Sequence, residues 1–213
     1  MEVMRSISED RGIELLTDSD LDILSLGIST AGHAEIRMAE ANPNRKIIAT
    51  TIDEKGIEYT KQLIKEKGLE SQITAKLENV CEPFPYADNL FDFVYSRLCL
   101  QYVNNDGMAN AMSEIYRVLK PNGRAFIVVH TPDKLKDYPD AQHDEATGMT
   151  RHIRRGQVRY RRFYTERELK KLASQYNFQV ISTAKYMEQT CKDYERTIQN
   201  KFASEKVEIV LRK

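Results

Sequence analysis

Short apolar runs alternate with longer amphipathic stretches along most of the chain. Most of the apolar runs lack strict polar alternation, which is typical of parallel strands that are covered on both faces. Strands are predicted at residues 23–28, 46–52, 73–77, 91–96, 125–129, 178–182 and 207–211. Helices are predicted at residues 9–18, 33–41, 54–67 and 108–119, and a fifth follows a capping box of Thr165 and Glu168.

The order of these elements predicts the fold class. Strands and helices alternate with connections of helical length, which favours an α/β protein with a doubly wound, mostly parallel sheet and helices on both faces. The final run, 207–211, alternates polar and apolar positions and indicates an antiparallel pair with the run before it. We therefore expect seven strands with an antiparallel last strand.

The first predicted strand breaks into small residues before a helix begins. Gly27, Ser29, Ala31 and Gly32 allow a sharp turn and a close approach to a ligand, and the helix presents unpaired N–H groups to it. Such an arrangement is typical of nucleotide pockets. These residues match only a loosened Gly-x-Gly-x-x-Gly pattern, which also occurs in ordinary strand-to-helix turns, so both interpretations stay open on this stretch alone.

Four strand ends are predicted to face one crevice, because ligands of wound sheets bind outside the carboxyl ends of the strands near the switch point. The segments brought together are 27–32, Asp53, 79–81 and 96–97. A carboxylate at the position of Asp53 can accept two hydrogen bonds from a ribose diol. An acid at the start of a helix without any ligand has the same appearance in a sequence.

Composition limits the class of protein. At 213 residues with 41% hydrophobic and 30% charged residues, we expect one globular domain over 1–213, with a lead-in helix in 1–20 and an insertion at 131–163. No apolar run approaches the length of a membrane span, and the start lacks a signal-peptide pattern. Three scattered cysteines argue against a disulfide framework and a zinc site. We therefore expect a cytoplasmic protein with no membrane partner and no metal.

Charge is distributed unevenly, although the net charge is zero. Residues 1–130 carry 14 Lys and Arg against 20 Asp and Glu, and residues 131–213 carry 18 against 12. A hairpin with its turn at Gly156 is predicted within the basic part, and it concentrates Arg151, Arg154, Arg155, Arg159, Arg161 and Arg162. These arginines either contact an anionic acceptor, such as a phosphate, a carboxylate or RNA, or form a solvated outer face. The solvated interpretation places Ile153, Val158, Tyr160 and Phe163 inward, and strand alternation favours it.

Two segments carry a family resemblance. The segment DNLFDFVYSR at 88–97 is similar to the fourth-strand motif of class I S-adenosylmethionine-dependent methyltransferases, and EIYRVLKPNGR at 114–124 is similar to their motif before strand five. The resemblance is strong over residues 20–130 and looser beyond. It implies a Rossmann-like methyltransferase fold with S-adenosylmethionine as cofactor and S-adenosylhomocysteine as product. A nicotinamide-binding domain, the alternative for the first turn, lacks the second motif.

The resemblance also implies a set of cofactor contacts. The backbone of Gly27, Ile28, Ser29 and Ala31 would pass under the methionine and ribose parts, and Asp53 would hold the ribose hydroxyls with Glu54 or Ile52 beside it. The remaining implied residues are Asn79, Val80 and Cys81 around the adenine, and Ser96 and Arg97 beneath the sulfonium.

The chain departs from the family pattern at several of these positions. Relatives commonly have an acid where Ser25 stands, glycines at Ser29 and Ala31, and an aspartate at Val80. Loss of the two acids removes one partner of the cofactor's ammonium and one of its adenine, each worth about 1–3 kcal/mol. A non-catalytic relative with weakened cofactor binding is therefore one alternative.

The resemblance implies in-line methyl transfer, which depends mainly on alignment and exclusion of water. The favoured hypothesis is transfer to a small-molecule acceptor, and an RNA methyltransferase that uses the arginine hairpin is the second. Tyr102, His130 and His152 are the candidate acceptor-binding residues. His33 and His143 are further candidate bases, and no catalytic residue or oligomeric state is assigned.

Overall fold

The computed structural model describes residues 6–28, 32–154, 156–191, 196 and 203–213. Its strands are β1 (Asp22–Leu26), β2 (Lys46–Thr51), β3 (Ile73–Leu77), β4 (Phe91–Arg97), β5 (Leu119–His130), β6 (Gln142–Asp144), β7 (Met149–Arg154), β8 (Gln157–Arg161), β9 (Gln179–Glu188) and β10 (Ser204–Arg212). Its α-helices are α1 (Ile7–Glu14), α2 (His33–Ala41), α3 (Glu54–Glu66), α4 (Asn105–Val118) and α5 (Glu166–Gln175). Two 3₁₀ turns, Leu100–Tyr102 and Pro132–Asp137, complete the described elements. The implied cofactor residues Ser29 and Ala31 lie outside the described residues, as does Arg155.

Seven strands form the central sheet in the order β3-β2-β1-β4-β5-β10-β9. The pairs β1–β2, β2–β3, β1–β4 and β4–β5 are parallel. Strand β10 runs antiparallel to both of its neighbours, β5 and β9. The predicted fold class is thereby confirmed, with strand order reversing at β1.

Helices cover both faces of the central sheet because successive strand residues point to opposite sides. One core contains Leu24, Val94 and Ile127 together with apolar residues of α4 and α5. The other contains Ile23 and Phe93 with apolar residues of α2 and α3. This two-sided burial explains why the strands lack polar alternation.

Helix ends follow local signals that the sequence carries. The predicted capping box of α5 is present: Thr165 Oγ1 accepts from Glu168 N at 3.2 Å, and Thr165 N donates to Glu168 Oε2 at 2.7 Å. Helix α4 begins at Asn105 rather than at 108, because the Asn104 side chain accepts from Gly107 N. Strand β5 begins at Leu119, so the predicted turn at 121–123 lies inside it.

A second sheet, in the order β6-β7-β8, lies within the predicted insertion. The expected hairpin is confirmed, with Gly156 at φ +72° in its turn. Of its predicted inward residues, Phe163 is buried, but the prediction is wrong for Ile153, Val158 and Tyr160, which are 44–57% exposed. The hairpin packs over the end of the central sheet, and there Arg161 at the end of β8 is buried at 6% exposure.

Among the helices in the described ranges, none combines the length and the apolar character that a membrane crossing requires.

A buried acid joins the first strand to the first long helix. Glu35 is 1% exposed and accepts a hydrogen bond from Ser25 Oγ through one carboxyl oxygen. Its other carboxyl oxygen has no hydrogen-bond partner within the described part of the chain. Burial raises the pKa of Glu35 above its usual value, and Glu9 nearby acts in the same direction while Arg196 opposes it.

We expect Glu35→Gln to stabilise the protein at pH 8 relative to the wild type, and to do so less at pH 5. A carboxyl whose pKa is raised by folding favours the folded state at low pH, and that contribution is lost as pH rises through the raised pKa. Urea unfolding of both proteins at the two pH values measures the difference. A stability difference that does not change with pH would contradict this assignment of the buried charge.

Candidate active site

A cavity of about 1260 Å³ lies at the carboxyl ends of the parallel strands. The segments after β1, β2, β3 and β4 line one part of it, and the turn Pro132–Asp137 with the β7–β8 hairpin lines another. This is the edge at which the strand order reverses, where wound sheets bind their ligands. The fold therefore places the cavity where the sequence predicts a crevice.

Seven of the predicted cofactor residues line the cavity, and two of the described ones do not. The seven are Gly27, Ile28, Asp53, Asn79, Val80, Cys81 and Arg97. Glu54 instead lines a neighbouring cavity of about 510 Å³, and Ser96 is fully buried inside β4.

Gly27 is required by the geometry of the first turn. Its φ is +72°, and an added Cβ would lie 2.5 Å from the Cβ of Cys99. Beyond it, Ile28 N donates to Thr50 O at 2.8 Å, which ties the turn to β2. Any side chain at residue 27 would be both strained and obstructed, so the cavity wall here is backbone.

Asp53 stands at the start of α3 with its side chain exposed. Its backbone N donates to Thr51 Oγ1 at 3.1 Å, and its carbonyl accepts from Ile57 N. The carboxyl group does not cap the helix, and a Cβ at Gly56 would lie 2.8 Å from its Oδ2. The acid thus lies over the first helical turn at the rim of the cavity, where it can meet a hydroxyl pair.

Apolar and small polar groups surround the space next to Asp53. Ile52 is 74% exposed and lines the cavity with Val80, so a flat apolar ring has a surface on which to pack. The loop that carries Val80 is held by Asn79, whose Oδ1 accepts from Cys81 N at 3.0 Å. Burial raises the pKa of the Cys99 thiol to about 12, so this residue is a neutral part of the wall.

Arg97, which the family resemblance places beneath the sulfonium, is buried at 4% exposure. Its Nε donates to Ser8 Oγ at 2.5 Å, and its Nη2 lies 3.7 Å from Glu188 Oε1. Ser8 N also donates to Glu188 at 2.9 Å. Glu188 of β9 therefore balances the charge of Arg97, and Ser8 of helix α1 links the two side chains.

The three candidate acceptor residues have different environments. Tyr102 is 55% exposed and lines the cavity, and His130 lines it while 6% exposed. His152 is 1% exposed, and its ring packs against that of Tyr138 with centroids 4.2 Å apart and planes tilted by 39°. It is not among the residues lining the cavity. Of the other histidines, His143 contacts Thr150 within the small sheet.

Burial holds the pKa of His130 well below its usual value, and the nearby cations Lys206, Arg161 and Lys134 act in the same direction. The imidazole is consequently neutral at pH 7. Ser204 Oγ lies 3.4 Å from His130 Nδ1. His130 can therefore take part in hydrogen bonding or proton transfer at the cavity wall.

Sequence reasoning missed Gln101, Ser204 and Lys206. Lys206 is fully buried, and burial lowers its pKa to about 7. Its Nζ donates to Ser204 Oγ at 2.6 Å and to Ser204 O at 3.0 Å. The available signal was that polar residues occupy alternate positions of the last strand. This alternation predicted an edge pair, but the structure places the strand between β5 and β9.

Comparison with known families agrees with this arrangement. A family model described as a methyltransferase domain matches residues 24–127. Among curated proteins, a demethylmenaquinone methyltransferase of Bacteroides fragilis is 29% identical over 114 residues, which cover 53% of this chain and 45% of that protein. The match thus spans less than half the length of this relative.

Solved structures show the same fold at lower identity. An S-adenosylmethionine-dependent methyltransferase of Methanosarcina mazei superposes with a TM-score of 0.71 at 20% identity, covering 94% of this chain and 95% of that chain. A 1,6-didemethyltoxoflavin-N1-methyltransferase of Burkholderia thailandensis, with bound 1,6-didemethyltoxoflavin and S-adenosylhomocysteine, gives 0.68 at 18% identity over 97% and 78%.

The sheet order, the cavity at its switch point and the family match agree with the two sequence motifs. Residues 24–127 match the methyltransferase-domain family, and the described chain has the fold of S-adenosylmethionine-dependent methyltransferases of known structure.

Proposed function

We propose that this chain transfers the methyl group of S-adenosylmethionine to a small-molecule acceptor bound in the cavity. The observation that carries the proposal is that Gly27 and Asp53 share one cavity with Tyr102 and His130. The first pair belongs to the strand ends that hold the cofactor in this family. Tyr102 and His130 come from later parts of the chain, the 3₁₀ turn after β4 and the end of β5. The cavity between the two pairs therefore has space for an acceptor beside the donor.

The residues of the cavity fit the proposed cofactor. Backbone at Gly27 permits close approach, Asp53 offers a carboxylate to the ribose hydroxyls, and Ile52 with Val80 offers an apolar surface to the adenine. The acid that relatives have at Ser25 is replaced by a serine whose hydroxyl is bound to Glu35. We infer that the cofactor's ammonium group is held mainly by backbone and hydroxyl groups.

When bound, S-adenosylmethionine supplies an activated methyl group with a good leaving group. The chain's contribution is then alignment and exclusion of water, which supply most of the rate enhancement in reactions of this kind. The insertion at 131–163 covers the cavity with Lys134, Tyr138 and the β7–β8 hairpin. His130, neutral at pH 7, lines the cavity and is the group best placed to orient the acceptor through a hydrogen bond.

A labelling experiment tests the activity and the acceptor class. Purified protein is incubated with methyl-labelled S-adenosylmethionine and, separately, the small-molecule fraction and the RNA fraction of a cell extract. We expect label in the small-molecule fraction and none in RNA, because Arg154, Arg159 and Arg161 of the hairpin line the cavity. Label in RNA would support the second hypothesis, and label in neither fraction would support a non-catalytic relative.

Asp53→Asn should weaken binding of S-adenosylmethionine and S-adenosylhomocysteine by about tenfold to hundredfold, the effect of losing charged hydrogen bonds to the ribose. Glu54→Gln is the matched control, since it makes the same change one residue further on, in the neighbouring cavity. Calorimetric titration should show Glu54→Gln within about twofold of the wild type. Equal losses in the two variants would count against a ribose contact at Asp53.

Gly27→Ala should lower both the free energy of unfolding and the affinity for S-adenosylhomocysteine. Gly68→Ala serves as its control, because Gly68 has a similar φ of +66° at the end of α3 but no atom within 4 Å of an added Cβ. The control should lose about 1 kcal/mol of stability from backbone strain alone and keep its cofactor affinity. Thermal unfolding and calorimetry separate the two effects, and unchanged affinity in Gly27→Ala would exclude close approach at this turn.

A further inference from the structure

Arg161, at the end of β8, is a buried cation in the cavity wall. It is 6% exposed, its Nη2 donates to Tyr102 Oη at 2.8 Å, and its guanidinium carbon lies 5.0 Å from the centre of the Tyr102 ring. Within the described ranges of the chain, no carboxylate pairs with Arg161 and its Nε has no acceptor. An unpaired buried cation is costly, which favours an anion bound beside it.

Gln101 lies beside this arginine and is 1% exposed. Its side-chain Oε1 accepts from His130 N at 2.9 Å, and its carbonyl accepts from Arg162 N at 2.7 Å. Gln101 therefore joins the end of β5 to the end of β8. Its Nε2 has no acceptor among the residues that the structure describes, so a second donor group in the same cavity wall is unsatisfied.

His130 lies in the same cavity wall, and its backbone N is held by Gln101. Burial and the nearby cations lower the pKa of its imidazole, which is therefore neutral at pH 7. Its Nδ1 lies 3.4 Å from Ser204 Oγ, which also accepts from Lys206 Nζ. A neutral imidazole has one N–H donor and one acceptor nitrogen, so His130 adds a hydrogen-bonding group to the cavity wall.

Two acidic residues of the described chain, Asp137 and Glu188, already have partners. Asp137 is paired with Lys134, and Glu188 accepts from Ser8 and lies beside Arg97. We propose that Arg161, Gln101 and His130 form a subsite for an anionic oxygen group of the methyl acceptor, a carboxylate or a phosphate. This inference rests on the proposed function and narrows it, since it names the chemical class of the acceptor.

The test uses the full chain loaded with S-adenosylhomocysteine and three probes that share a phenyl ring: benzoate, phenyl phosphate and benzamide. Calorimetric titration should show at least one anion binding about tenfold more tightly than benzamide, the effect of a charge-assisted hydrogen bond. The benzoate and phenyl phosphate titrations distinguish carboxylate from phosphate. Equal binding of all three probes, or binding of none, would overturn the subsite.

Two variants and one control locate the effect. Arg161→Gln should lose the anion preference, whereas Arg151→Gln, which removes the same charge from β7 outside the cavity lining, should keep it. Gln101→Glu retains an acceptor for His130 N and adds a negative charge, so it should weaken anion binding by about tenfold and leave benzamide unchanged. Retention of the preference in either Arg161→Gln or Gln101→Glu would contradict the proposal.

Binding of S-adenosylhomocysteine alone is measured first in every variant. Failure of the wild type to bind it would overturn the proposed function itself. Normal binding of S-adenosylhomocysteine without any anion preference would overturn only the subsite.

Discussion

The parallel pairing of β1 with β2 on one side and β4 on the other is the constraint on which the site depends. Leu26 lies opposite Thr50 in β2 and Ser96 in β4, so the segments that follow these strands leave the sheet at the same edge. The same alignment places Ile23 and Leu24 in opposite cores. A shift by one residue would exchange the two faces of β1, and the core and the cavity would be lost together.

The half of the cavity that the strand ends form was predictable, because short stretches of sequence define the positions of its residues. A buried strand, a small-residue turn and an acid at the next strand end define positions along the chain, and parallel topology then brings them together. Gly27 and Asp53 follow this rule. Glu54 does not, because one further residue along a helix turns the side chain by about 100° and into the neighbouring cavity.

The other half was predicted less well, because alternation gives the period of a strand and not which face is buried. Val158 and Tyr160 alternate with arginines along β8, and both are exposed, whereas Arg161 at the end of the strand is buried. Only the tertiary position of the hairpin over the sheet decides this. Lys206 was missed for a related reason. The alternation of polar residues along β10 is typical of a strand in an edge pair, but β10 has a strand on each side.

The cavity lining carries charges of both signs, which affect a charged methyl donor. Asp53 and Glu78 lie at the ends of β2 and β3, whereas Arg97 lies at the end of β4 and Arg161 in the hairpin-derived part of the lining. On the proposed function, a sulfonium next to cationic side chains is destabilised unless the acceptor brings negative charge. An anionic acceptor and the sulfonium attract each other before transfer, and this attraction ends when the donor becomes a neutral thioether. Charge loss at the donor would then favour release of the methylated product.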